Sequence, residues 1–243
     1  MTRRENWPNL LNISSHLIHT WAMNTVDSNS PDIQLPVEVT GLLQHVGNLR
    51  DALVDGAEGV IDSGRVSVTT LTDEVDRLIL TSMESWGIES VLRDALPLEN
   101  LVQELESGSV ELRRSWILPL IARVHPIRSC SLAFFNSTII PLADRAIAVA
   151  KAAANQTFSR QVGGKSSSKF IPLSAILNAA VQMARQLWTT LTAFTRLPPT
   201  RWSDLMDSGL GGRLIAGLLT AKAVRPVILS ALRRLIAFAN TDG

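Results

Sequence analysis

The side chains of this sequence that could bind a metal or take part in nucleophilic catalysis are few and scattered. His16 and His19 are three residues apart, so a helix would place both imidazoles on one side. A protein zinc site needs a third and a fourth ligand, and no Cys, His or acidic cluster accompanies this pair in the sequence. The sequence therefore predicts no metal site, and the two histidines are interpreted as surface or partly buried side chains.

Two further patterns, one for phosphate binding and one for catalysis, are incomplete. The run Gly163-Gly164-Lys165-Ser166 is similar to the end of a phosphate-binding loop, but Ser159 stands where that motif has its first glycine. No Gly-x-Ser-x-Gly elbow is present for a nucleophilic serine. Cys130 is the single cysteine and lies in an apolar run, which is typical of a buried, inert thiol. We therefore predict a non-enzymatic protein without a cofactor, in an intracellular, reducing compartment.

The strongest pattern for binding a partner lies near the C-terminus, where basic residues interrupt apolar runs. At about 100° per residue, three of the cations fall within one quadrant of a helix. Such a helix can lie on an anionic membrane, with aliphatic side chains inserted and arginines near the phosphates. Alternatively, these arginines extend from a core helix or pair with the acidic half of the chain. The predicted anionic-surface site comprises Arg213, Lys222, Arg225, Arg233, Arg234, Trp188 and Trp202.

The elements that must position these residues read as helices. Val37–Ile61 is one of several segments in which apolar residues recur at i, i+3, i+4 and i+7. Pro119 and Pro141 are expected to kink or interrupt helices, and Pro226 is expected to separate a final helical pair, Gly212–Val224 and Pro226–Asn240. Val66–Thr70 is the one candidate strand. No internal repeat is obvious. The fold class predicted is all-α, a multi-helix bundle with a Pro-interrupted, apolar and basic C-terminal half.

Acidic residues are concentrated in the first part of the chain and basic residues in the second, a pattern that bears on binding partners rather than on the fold. Residues 1–107 contain 17 of the 22 Asp and Glu residues and six Arg, whereas residues 108–243 contain five acids and 17 Lys and Arg. The pattern of apolar residues changes at the same place, from regular amphipathic helices to apolar helices that prolines interrupt. We predict an acidic amphipathic helical region at 1–107, apolar Pro-broken helices at 108–157, a flexible basic linker at 158–169 and a basic apolar helical region at 170–243.

Two short motifs resemble those of the helical apoptosis regulators. Leu43–Asn48 is similar to that family's Leu-x-x-x-Gly-Asp segment, and Ser85-Trp86-Gly87 is similar to its Asn-Trp-Gly motif. Asn48 replaces the acid, Ser85 replaces the asparagine, and Arg50 stands where the motif has an apolar residue. The resemblance implies a helical protein-binding domain, and no binding residues are carried over from the family.

These patterns leave several partners open. The first hypothesis is a non-enzymatic interaction protein whose basic, apolar C-terminal half docks on an anionic surface, most plausibly membrane or lipid. A second is a nucleic-acid-binding or assembly protein, such as a small viral structural or accessory protein, with a salt-sensitive phosphate interaction. A protein partner, a second copy of the chain, and mutual neutralisation of the two halves are further alternatives.

Overall fold

The computed structural model of the chain describes residues 6–25, 34–54, 67–128, 130–162, 173–199, 201–206 and 209–241. Across these ranges, the regular secondary structure consists of thirteen α-helices and one π-helical turn. The all-α prediction is confirmed. The candidate strand Val66–Thr70 is wrong for its described residues, because a helix begins at Val68 and the Ser67 hydroxyl caps it by accepting a hydrogen bond from the Thr69 amide.

Two compact units make up the chain, and they are interleaved along the sequence. The first unit contains residues 1–97 and 123–130, and the second contains residues 98–122 and 131–243. The four predicted regions, with boundaries at 107, 157 and 169, stay predictions. The predicted linker was placed from residue 158, but a helix continues through Val162, and residues 163–169 lie outside the described ranges.

In the first unit the third helix is central. It packs against the other three helices of this unit through one apolar side, which includes Val75, Leu78 and Met83. The Trp86 ring near its end is buried and meets Trp21 edge-on at a centroid distance of 6.2 Å. The helices are α1 (Trp7–Thr25), α2 (Val37–Val54), α3 (Val68–Trp86) and α4 (Ile88–Asp94).

Helices α1 and α3 run in the same direction. The Ser15 hydroxyl donates to the Thr81 hydroxyl over 3.0 Å, and His19 Nδ1 lies 3.0 Å from Ser85 Oγ. In each pair the two residues are 66 positions apart in the sequence, so the contacts follow the same order along the two helices. Helix α2 lies between them in the sequence and packs against α3.

The two motifs that resemble those of apoptosis regulators occupy packing positions in this unit. Gly47 lies on the buried side of α2, where a Cβ atom would come within 2.6 Å of Leu96 Cδ2. Trp86 is part of the core. A small residue and a large aromatic ring at these positions are therefore explained by helix packing, without reference to a ligand.

The second unit is built around a long helix that packs against two others, and aromatic rings fill part of its core. Phe135 contacts both Trp188 and Phe194, at centroid distances of 6.1 and 5.4 Å. The long helix is α8, and its neighbours are α5 and α9. The helices are α5 (Glu99–Glu106), α6 (Ile117–Arg123, whose last residue belongs to the first unit), α7 (Leu132–Phe134), α8 (Ile140–Val162), α9 (Leu173–Thr189), α10 (Leu191–Phe194), α11 (Ser203–Met206), α12 (Leu210–Thr220) and α13 (Arg225–Thr241).

Three prolines of the described ranges stand at the beginnings of helices. Pro8, Pro119 and Pro226 all stand in the first turn of a helix, where the missing amide proton costs no hydrogen bond. Pro141 is the second residue of α8, and the π-helical turn Phe135–Ile139 joins α7 directly to α8. The wider turn accommodates the proline ring where a regular helix would clash. The expected interruptions at Pro119 and Pro141 are thus a helix start and a local change of helix type.

One continuous helical stretch in the described ranges has the length and composition of a membrane span. Leu132–Gln156 reaches a mean hydropathy of 1.3, and 39% of its most apolar window is buried. The stretch also carries Asp144 and Arg145, which form ion pairs within the second unit. A packed core helix meets the same criteria, so this segment is weak support for a membrane location.

Candidate interaction surface

Helices α12 and α13 form a tightly joined hairpin at the end of the second unit. Gly209 precedes α12 with φ +74°, a conformation that favours glycine. Gly217 lets the helices approach, because a Cβ atom there would come within 2.6 Å of Ile228 Cδ1. Arg225 Nε donates to the Leu218 carbonyl over 2.8 Å and so satisfies one of the free carbonyls at the end of α12. These contacts fix the two helices against each other.

The outer sides of this hairpin carry large aliphatic side chains. Ile215 and Leu219 are four residues apart on one face of α12 and are 59% and 74% exposed. On α13, Leu229 and Ile236 flank Arg233 at i, i+4 and i+7 and are 42% and 60% exposed. Exposed aliphatic groups concentrated on one element indicate an interaction site more strongly than scattered ones do.

Three of the five predicted cations are exposed on the same hairpin. Arg213 pairs with Asp144 at 2.5 Å while remaining accessible, and Lys222 and Arg233 are exposed as well. The structure therefore brings cations and aliphatic side chains together, as the sequence pattern indicated. We call the following exposed residues the C-terminal surface: Arg213, Ile215, Leu219, Lys222, Leu229, Arg233 and Ile236.

The other two predicted cations are half-buried and stabilise helix ends. Arg225 bonds the end of α12 as described above. Arg234 donates from a terminal guanidinium nitrogen to the Thr192 carbonyl of α10 over 3.0 Å. Backbone carbonyls in the last turn of a helix have no intrahelical partner, and arginine side chains commonly satisfy them. Both residues are therefore assigned mainly to the fold.

The two tryptophans differ from what the sequence suggested. Trp188 is only 8% exposed and meets Phe135 edge-on, so its assignment to a surface is corrected to the core. Gly217 also lies near this ring, since a Cβ atom there would be 3.8 Å from it. Trp202 is half-buried in the turn before α11. The apolar groups of the C-terminal surface are instead aliphatic, and their exposure was not evident from the sequence.

Charge remains unevenly divided when it is counted by structural unit. The second unit contains 15 Lys and Arg against 8 Asp and Glu, and the first contains 8 against 14. Within the second unit, Arg145 donates to Glu106 from two nitrogens at 2.9 and 2.7 Å, which joins the acidic and basic halves of the sequence. This hydrogen-bonded pair lowers the pKa of Glu106.

The described residues show no arrangement for metal or thiol chemistry. No three His, Cys, Asp or Glu side chains in the described ranges are grouped to hold a metal ion. Burial raises the pKa of the Cys130 thiol to about 12, so the thiolate needed for nucleophilic attack is scarce at neutral pH.

The family model described as "Ribosomal RNA-processing protein 12, HEAT repeats" matches residues 4–242. The chain belongs to this family. HEAT repeats are helical pairs stacked side by side, which agrees with the parallel packing of α1 and α3. Neither the curated proteins nor the solved structures gave a match to the chain.

Membership of the family sets the class of function and corrects two readings of the sequence. HEAT-repeat proteins present extended surfaces to other macromolecules, so the role of this chain is interaction or assembly. The resemblance to apoptosis regulators receives no support from the match. No repeat was obvious in the sequence, although the family is one of HEAT repeats. The contacting residues of α1 and α3 are 66 residues apart, which is more than the roughly 40–47 residues that a HEAT repeat typically spans.

Proposed function

We propose that this chain is a non-enzymatic assembly scaffold in ribosomal RNA processing and that its C-terminal surface binds a protein partner. The family description supports the process. The observation that carries the proposal is the set of four large aliphatic side chains, 42–74% exposed, that stand among three exposed cations. Burial of these side chains against a partner would release water from apolar surface, which is the main driving force of association.

The chemistry of the C-terminal surface favours a protein over a nucleic acid. Leucine and isoleucine offer no ring on which a base could stack, and stacking supplies much of the binding energy for single strands. Protein interfaces combine an apolar centre with a polar rim. The partner expected here has an apolar groove bordered by Asp or Glu, which would pair with Arg213, Lys222 and Arg233.

Ribosomal RNA is the second candidate partner, and the excess of cations in the second unit supports it. Binding through phosphates would weaken steeply with salt, and removal of one phosphate-binding cation would lower the log–log slope by about one. An anionic membrane would use the same cations and aliphatic groups. The family match gives membrane docking no support, and it stays a prediction. The intracellular, reducing location also remains part of the proposal.

The test compares two charge insertions at equally accessible aliphatic positions in the full-length chain. Leu219→Glu disrupts the C-terminal surface, and Val37→Glu at the start of α2, where the side chain is 83% exposed, is the matched control. Association with pre-ribosomal particles is measured by co-sedimentation from cell extract and by crosslinking to a defined protein neighbour. We expect Leu219→Glu to weaken association by about tenfold or more, the size of an interface hot spot, and Val37→Glu to leave it unchanged.

Two further arms separate the candidate partners. Gel shifts with ribosomal RNA over a range of salt, using Lys222→Gln with Arg233→Gln, test phosphate contacts. Co-sedimentation with vesicles containing phosphatidylserine tests the membrane. If Leu219→Glu associates with the particles as the unchanged chain does, the proposed role of the C-terminal surface is wrong.

A further inference from the structure

A partly open cavity of about 230 Å³ lies between α1 and α3 in the first unit, lined by polar residues whose carbon atoms supply most of its exposed surface. It is far from the C-terminal hairpin in sequence and belongs to the other compact unit. Hydroxyl, amide, imidazole and guanidinium groups surround it, with no carboxylate among the lining residues. The lining residues are Asn12, Ser15, His16, His19, Arg77 and Thr81.

Helical spacing explains why these polar groups converge. The four lining residues of α1 follow the pattern i, i+3, i+4, i+7, which forms one polar stripe beside the buried apolar face. Arg77 and Thr81 are four residues apart on α3 and form a second stripe. Because α1 and α3 are parallel and their contacts keep the same spacing, the two stripes stay side by side along the groove.

The hydrogen bonds already made leave an excess of donors in the cavity. Ser15 donates to Thr81, so the Thr81 hydroxyl proton remains available. When Ser85 donates to His19 Nδ1, the neutral imidazole carries its proton on Nε2. Arg77 contacts Glu74 through a single terminal nitrogen, which leaves most of its five N–H groups unused. These groups can all donate to one ligand.

Two other lining residues add to this excess. Asn12 and His16 form no hydrogen bond or ion pair with any residue in the described ranges, and each has at least one N–H group to donate. Acceptors are limited to the asparagine carbonyl and the hydroxyl oxygens. A ligand rich in acceptor oxygens and negatively charged is the chemical complement of such a lining, and guanidinium and imidazole groups are common partners of phosphate.

We propose that this cavity binds the phosphate group of a small phosphate ester, such as a nucleoside monophosphate. A volume of about 230 Å³ is below the roughly 300–1,000 Å³ of pockets that enclose a drug-sized ligand. It accommodates the phosphate and part of the attached group, and the remainder lies in the open groove. The first unit contains 14 acids against 8 Lys and Arg, so it repels a long polyanion more strongly than it repels a single phosphate.

The experiment is isothermal titration of the full-length chain with three probes: adenosine 5′-monophosphate, inorganic phosphate and adenosine. Arg77→Gln removes the charge at the cavity. Arg93→Gln is the matched control, because Arg93 is similarly exposed and also faces a glutamate, Glu89, at 3.8 Å. The nucleotide is expected to bind saturably, inorganic phosphate to compete with it, and adenosine to give no heat. Arg77→Gln should weaken nucleotide binding by about tenfold, and Arg93→Gln should not change it.

His16→Gln provides a second variant that does not depend on Arg77. The His16 side chain is exposed, so this change should keep the fold and still weaken nucleotide binding. Equal binding of adenosine and its monophosphate would overturn the proposal, as would unchanged binding by both variants. Binding of a short single-stranded RNA or a phosphoserine peptide, with no binding of the nucleotide, would also overturn it and assign the groove to that macromolecule. None of these outcomes depends on the C-terminal surface.

Discussion

Replacement of Gly47 by alanine tests the packing of the first unit where α2 lies closest to Leu96. The new Cβ atom would lie 2.6 Å from Leu96 Cδ2, whose side chain is fully buried, whereas carbon atoms pack best at about 3.5–4.0 Å. Leu96 or α2 must therefore move by about 1 Å. Overpacking of this kind typically costs roughly 1–3 kcal/mol. Alanine recovers about 1 kcal/mol of helix propensity, so the net change is a destabilisation of up to about 2 kcal/mol.

Gly41 in the same helix is the matched control. A Cβ atom at Gly41 meets nothing within 4 Å, so Gly41→Ala is expected to stabilise the helix by about 0.5–1 kcal/mol. The propensity gain is common to the two variants, and their difference isolates the steric cost, about 1–3 kcal/mol.

Hydrogen exchange of the α2 amides is the appropriate measurement, because it reports the local opening free energy of one unit in a chain that contains two. Urea denaturation followed by circular dichroism gives the stability of the whole chain for comparison. If Gly47→Ala protects the α2 amides as well as Gly41→Ala does, the close approach to Leu96 does not restrain this helix, and the packing account of Gly47 fails.

Three further experiments test individual side chains. Arg234→Gln should lower the free energy of unfolding by about 1 kcal/mol, because it leaves a carbonyl of α10 without its donor. Arg233→Gln should change the free energy of unfolding by less than about 0.5 kcal/mol. Equal effects of the two variants in urea denaturation would contradict the assignment of Arg234 to the fold and of Arg233 to the surface. Cys130 should resist a disulfide reagent at about pH 8 in the folded chain and react rapidly in urea, since burial raises its pKa to about 12; rapid labelling of the folded chain would show that the thiol is accessible. Arg145 lowers the pKa of Glu106 from 4.5, so this pair stabilises the fold above that pH, and its contribution disappears as the pH falls through the lowered pKa. Glu106→Gln should therefore reduce the acid sensitivity of unfolding. An unchanged dependence of the free energy of unfolding on pH would contradict this.

Local patterns in the sequence were sufficient to predict helices, because apolar spacing and helix starts depend on neighbouring residues. The same patterns could not predict the positions of prolines within helices. Pro141 looked like an interruption, yet a π-helical turn before it keeps the helix continuous. A wider turn is one of several ways in which a helix can accommodate a proline ring, and the sequence does not show which of them is used.

The candidate surface was located in part from the sequence. Basic residues among apolar runs indicated the hairpin on which the proposed surface lies, but α12 is apolar on nearly every side, so the sequence did not show that Ile215 and Leu219 face outward. Trp188 was placed at a surface because the residues that bury its ring, among them Phe135, are distant in sequence. Arg234 bonds a carbonyl 42 residues earlier, and such a partner becomes visible only when both helix ends are placed in space.

The interleaving of the two units has a consequence for how the chain is made. Residues 123–130 complete the first unit, but they leave the ribosome only after residues 98–122, which belong to the second. The first unit therefore cannot complete its fold as soon as residues 1–97 have emerged, because it also needs residues 123–130. Residues 98–122 of the second unit have then emerged as well, but they cannot pack until residues 131–243 follow. For the same reason neither unit can be removed, exchanged or duplicated by a single cut in the gene. The order of the segments along the chain therefore couples the two units, both during synthesis and in evolution.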